Sequence, residues 1–195
     1  MANNAAAYGF RPVGSVQGGP YSGETVRAWI TTTFGTAVFP GDVVKMTGTA
    51  STDGYPSVTI SAVTDAPWAV VTGVEAIKTN LEANNYRPAS IEAYLHVVPV
   101  SGNLFQVRMD GTATDNVDDV GATTIFVATA GSTVTGYSGY VVSNTDAGTS
   151  IADNIRIMSI VDRSDSDPAL AAPEVIIMWN DSQTQAGIGT GSAGI

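Results

Sequence analysis

The chain has 195 residues, 44% of them hydrophobic and 13% charged, about half the charged share of an ordinary soluble domain. The 18 acidic and 8 basic residues leave a net charge of -10, which argues against a nucleic-acid partner, because phosphate binding rests on clustered Lys and Arg. With no cysteine there is no disulfide framework, thiolate metal site or cysteine nucleophile, and the single His96 removes sites that need two histidines from one chain.

The length suffices for one ordinary core or two small ones. Residues 1–8 lack the basic and apolar regions of a secretory signal, and no stretch reaches the roughly 18 apolar residues of a membrane helix. A soluble, unexported chain without a membrane partner is expected. Positive mean hydropathy with so little charge makes assembly the first functional expectation, with other copies or a partner lattice covering apolar surface.

In chain order, residues 1–23 show neither helical nor strand periodicity and read as an extended N-terminal docking arm. Tyr8, Phe10, Arg11 and Val13 are its expected interface residues, and Tyr21 adds to its apolar load. Ordering about a dozen backbone residues costs roughly 12–24 kcal/mol, whereas burying Tyr8, Phe10 and Val13 returns about 5–9. The arm is therefore expected to order only against a neighbour's strand edge.

Residues 24–181 read as a β domain, in one piece or two subdomains. Runs of Val, Ile, Thr and aromatics punctuated by Gly, Asp, Asn and Pro predict strands at 26–33, 42–47, 68–75, 93–100, 104–109, 123–128, 139–143, 155–161 and 174–179. Phe105, Val107 and Met109 alternate with Gln106 and Arg108, the period of a strand with one wet face. Ser101-Gly102-Asn103 predicts a tight hairpin, and Asp53-Gly54 and Asp110-Gly111 further turns. In 174–179, Val175, Ile177 and Trp179 on one side are matched by Ile176 and Met178 on the other, so this strand is either central or presented to another subunit. The best helical window, 75–84, is weak. Residues 182–195 form a flexible Gly, Ser and Thr-rich tail. The expected fold is all-β, an antiparallel sandwich or barrel.

The motifs carry little chemistry. Gly189-Thr190-Gly191-Ser192-Ala193-Gly194 has dinucleotide spacing but no helix after it, and Asn180-Asp181-Ser182 is a glycosylation acceptor only in an exported chain. Asp162, Asp165 and Asp167 could offer oxygen ligands to calcium, but an EF-hand loop would need a Gly and a Glu at positions where this sequence has neither. A solvated acidic loop is expected there, and likewise at Asp115, Asp118 and Asp119. His96 lies mid-strand, and Gly136-Tyr137-Ser138-Gly139 is one residue short of a nucleophile elbow. No cofactor, metal or catalytic residue is predicted.

Three stretches taken in order resemble a known family. Ala7-Tyr8-Gly9-Phe10-Arg11-Pro12-Val13-Gly14, then Asn85-Tyr86-Arg87-Pro88-Ala89-Ser90, then the block from Ile155-Arg156-Ile157 through Ile160-Val161-Asp162-Arg163 to Val175-Ile176-Ile177 are similar to tailed-bacteriophage structural proteins, some of them capsid cement or decoration proteins. The likeness runs to Ala193-Gly194-Ile195, and Asp165-Ser166-Asp167-Pro168 departs from it. The resemblance implies a non-enzymatic virion protein on the outer surface of the head, assembled in the host cytoplasm. Its implied partners are the major capsid protein and copies of itself, as a homotrimer. Net acidity suits the outer shell better than the genome side. Two rivals remain: a head-fibre or tail-associated carbohydrate-binding β-module, with Trp29, Trp68 and Trp179 as candidate platform residues, and a small carboxylate-based hydrolase or lyase.

Overall fold

The computed structural model describes residue 3 and residues 6–77, 85–111, 117–145, 147–148, 153–180 and 182–183. The Gly189 to Gly194 motif, Asp115, Asp181, the tail beyond Gln183 and the helical window beyond Ile77 lie outside the described residues. Over the described residues the chain is all-β, and its one helical element is a single 3-10 turn at Val117–Asp119.

In chain order the strands are β1 (Arg11–Ser15), β2 (Gly19–Pro20), β3 (Val26–Ile30), β4 (Val43–Ala50), β5 (Pro56–Ile60), β6 (Ala69–Val74) and β7 (Ala93–Pro99). There follow β8 (Asn103–Arg108), β9 (Thr123–Thr124), β10 (Phe126–Val127), β11 (Val141–Val142), β12 (Ile155–Val161) and β13 (Glu174–Trp179). Strands β3-β5-β4-β6-β7 close a barrel, and β2-β1-β8-β13-β12-β9 form a six-stranded sheet. Strands β10 and β11 make a small ribbon. Among the described residues these strands pair antiparallel except β3 with β5, a single parallel contact between Trp29 and Ser57 that closes the barrel, and an isolated parallel bridge joins Met109 to Val142 of β11.

Two hydrophobic cores share one wall. Ala28, Ile30, Val44, Val58, Trp68, Val71, Leu95 and Val97 fill the barrel, as side chains must in so small a barrel. On the other side of that wall, Val43, Val70 and Val98 join Phe10, Phe105, Phe126, Ile157, Ile177 and Trp179 between the barrel and the inner face of the sheet. The paired valines Val43-Val44, Val70-Val71 and Val97-Val98 thus send alternate side chains into different cores, because successive strand residues point to opposite faces.

Several expectations need correction. The arm is part of the chain's own fold: β1 pairs with β8, from Arg11 opposite Gln106 to Ser15 opposite Asn103, and Phe10 is 1% exposed. Backbone pairing to β8 supplies what the anchors alone lacked, and it comes from within the chain. The turn at Ser101-Gly102-Asn103 forms with Gly102 at φ 78°, yet β7 and β8 do not pair; the turn carries the chain from barrel to sheet. The predicted strand 123–128 breaks at Ile125, since β9 pairs with β12 and β10 with β11. Arg108, placed on a wet face, is buried. Strand β5 was missed because it is short and begins at Pro56.

Phe10→Ala and Trp179→Ala, whose rings lie 5.3 Å apart, are each expected to cost about 3–5 kcal/mol, measured as a fall in the urea midpoint. Deleting residues 1–14 should remove β1 and collapse the melting transition. A truncated protein that melts like the full chain would place the segment outside the core.

Candidate functional site

Of the expected interface residues, Tyr8 and Phe10 are buried within the chain, Val13 is half-buried at a bulge between Pro12 and Gly14, and Arg11 is exposed. Tyr8 belongs to a buried polar cluster that strand register assembles. Glu174 on β13 stands opposite Arg108 on β8, and its carboxylate accepts from Arg108 Nη2 at 2.8 Å and Arg163 Nη2 at 2.5 Å. The Gln106 amide also donates to it. Arg11 and Arg108 lie 4.0 and 5.8 Å from the Tyr8 ring centroid. Burial, and then the charge of Glu174, push the Tyr8 hydroxyl pKa up. The cluster fastens the N-terminal segment to the sheet; removing one partner of such a buried pair is strongly destabilising.

The acidic loop completes this fastening. Asp165 pairs with Arg163 at 2.6 Å, the Asp167 carboxylate accepts from the Ala169 amide, and the Asn3 side chain is held by the backbone of Asp167 and Ala171. Among the described residues no three His, Cys, Asp or Glu side chains gather as a metal-ligand group.

A second joint ties the N-terminal segment to the barrel. Gly9 (φ 74°) and Gly41 (φ 98°) cross in contact with Ser138, where a Cβ on Gly9 would meet Gly41 Cα at 2.7 Å and Ser138 Cβ at 2.5 Å. Only glycine serves at both, for conformation and for space. Beside the joint Asp42 is 3% exposed; Oδ2 accepts from the Phe39 amide at 2.9 Å, and Oδ1 is buried without a partner. Burial outweighs the Phe39 amide bond and the nearby Ser138 hydroxyl and raises its pKa to about 6.

Arg87 is a third fastening that sequence reasoning missed. It is 0% exposed and donates to the carbonyls of Thr31, Phe34, Thr36 and Ile91 at 2.5–2.8 Å. Desolvation pushes its pKa down to about 10. In a chain with so few basic residues, an arginine outside any strand was the available signal.

His96 and Ser138 are not brought together: His96 faces Thr25 Oγ1 at 3.5 Å and Glu75 at 3.6 Å on the barrel exterior. Trp68 and Trp179 are core residues, whereas Trp29 is half-buried on the outer wall. Beside it runs a groove of about 720 Å³ lined by Arg27, Asp53, Glu75, Ile91, Glu92 and Tyr94 among others. Arg27 binds both Glu75 oxygens at 2.6 and 2.7 Å, which holds the Glu75 pKa down and the Arg27 pKa up.

The second exposed feature is the outer face of the sheet. Leu104, Ile176 and Met178 are half-buried there and belong to neither core, and Met158 is 42% exposed. The matched apolar faces of β13 therefore have one side in the core and the other partly exposed among the described residues. Comparison with known proteins finds no matching family model, curated relative or solved structure.

Asp42 gives a pH signature of unusual sign. Its folded pKa lies above the unfolded value of 3.8, so its contribution is fully present below about pH 4 and is lost as pH rises through about 6. The shift corresponds to about 3 kcal/mol. Asp42→Asn, which stays neutral, should be more stable than wild type near pH 7.5, with the gap narrowing toward about pH 4.5 in urea titrations. A gap that does not change with pH would assign the effect elsewhere.

Proposed function

We propose that the protein is a non-enzymatic structural component of a tailed-phage virion that binds the outside of the head and stabilises the capsid lattice, with the major capsid protein and two further copies of itself as partners. The observation that supports this reading most is the outer face of the six-stranded sheet, where half-buried Leu104, Ile176 and Met178 and exposed Met158 present apolar side chains that join neither core of the described residues. Such surface is a docking face when water is excluded from it. The buried polar groups near it are engaged in fastening chain segments, which suits a protein that must resist mechanical load. The family resemblance and the low surface charge support the same conclusion.

Co-sedimentation with expanded heads lacking the protein tests it. The wild type is expected to bind at saturable stoichiometry and to raise the heat resistance of the heads. Met158→Asp should leave the melting temperature nearly unchanged and weaken binding about tenfold, because an uncompensated charge must be desolvated at the contact. Wild-type protein that neither binds heads nor self-associates in sedimentation would overturn the proposal.

A further inference from the structure

We propose that the groove on the outer wall of the barrel is a binding site for a neutral oligosaccharide. Two aromatic side chains stand directly opposite each other on neighbouring strands: Tyr94 on β7 lines the groove, and Trp29 on β3 flanks it, tied to the lining residue Glu92. Each is oriented at its polar edge by a carboxylate from a loop: Trp29 Nε1 donates to Glu92 Oε1 at 2.8 Å, and Tyr94 Oη donates to Asp53 Oδ2 at 2.5 Å. Glu92 and Asp53 are exposed, and their other oxygens, Oε2 and Oδ1, have no hydrogen-bond partner among the described residues.

Trp29 supplies a ring fixed in orientation with the Glu92 acceptor oxygen beside it, whereas the Tyr94 ring is packed against Arg27 and Tyr55 and serves to fix Asp53, whose second oxygen is the other acceptor. A sugar presents the complementary surface, since its ring C–H face packs on an aromatic side chain while its hydroxyls donate to carboxylate oxygens. Because the rings and acceptors are already positioned, little side-chain entropy remains to be lost on binding. The groove volume of about 720 Å³ lies within the range of small-ligand sites.

The charges select the ligand class. Among the described lining residues, Asp53, Glu75 and Glu92 face one cation, Arg27, so sialylated or sulfated glycans meet net repulsion from them. A cationic ligand finds its aromatic seat occupied, with the Arg27 guanidinium 3.9 Å from the Tyr94 ring centroid and 4.6 Å from that of Tyr55. Glu75 is committed to Arg27 and serves to hold that cation in place.

Trp29 also reports on the site, because Trp68 and Trp179 are only 4% and 3% exposed. The full chain is titrated with neutral maltohexaose, N-acetylglucosamine hexamer and galactomannan fragments, and with sialyllactose and a heparin hexasaccharide as anionic probes. Tryptophan emission is followed for the wild type and calorimetry for variants. At least one neutral saccharide should give a saturable change with a Kd of about 1 mM or tighter. Trp29→Ala and Glu92→Gln should each weaken that binding about tenfold with circular dichroism unchanged. The proposal is overturned if no neutral saccharide binds, if the anionic probes bind more tightly, or if Glu92→Gln and Trp29→Ala both bind as the wild type does. Should Trp29→Ala not fold, Glu92→Gln alone decides.

Discussion

The wall shared by β4, β6 and β7 is the constraint on which the rest of the molecule depends. At Val43-Val44, Val70-Val71 and Val97-Val98, neighbouring side chains enter different cores, and each buried valine contributes about 1.5–3 kcal/mol. Neither core can be opened without exposing the back of the wall that closes the other. Barrel and sheet therefore behave as one cooperative unit, although the sequence between them crosses from one to the other by a tight turn at Gly102.

A wall buried on both sides leaves its flanking loops partly buried as well, and their peptide groups need partners. The three fastenings meet this demand by different chemistry. Arg87 supplies donors to four carbonyls of the 31–36 and 91 segments. Gly9 and Gly41 let two backbones touch, so that the Phe10 amide reaches the Gly41 carbonyl at 3.0 Å. Glu174 gathers two arginines and Gln106 beneath Tyr8. All three act on segments that have no regular strand partner at that point, and the last two both hold the N-terminal segment, which has two short strands of its own.

What was legible in the sequence follows from the same physics. Strands 155–161 and 174–179 coincide with β12 and β13 because β-branched residues and clear turn signals bound them. The all-β fold was legible from composition and punctuation. The fate of the first 23 residues was not, since the pairing of β1 with β8 spans about ninety positions and leaves no local period; only Tyr8 and Phe10 hinted at burial. The partners of Arg108 and Arg87 were equally hidden, being set by register and by loop packing. Of the groove, Trp29 and Tyr94 could be read as outward strand positions, but Asp53, Glu75 and Glu92 come from three separate stretches and carry no motif.

Strand β7 shows how one surface becomes two. Its outward-facing positions Tyr94 and His96 are half-buried at the barrel exterior, and two residues further on the same side of the strand Val98 is sealed in the core between barrel and sheet. The groove thus lies where the barrel wall emerges from beneath the sheet. The apolar face formed by Ile176 and Met178 lies on the opposite side of that sheet from the barrel, because Val175 and Ile177 between them point into the core. A protein attached to a lattice through Ile176 and Met178 would hold the barrel away from the lattice, with Trp29 and Tyr94 on the solvent side of the attachment. Attachment and saccharide binding would then not compete for surface, and the double-sided valine wall fixes one relative to the other.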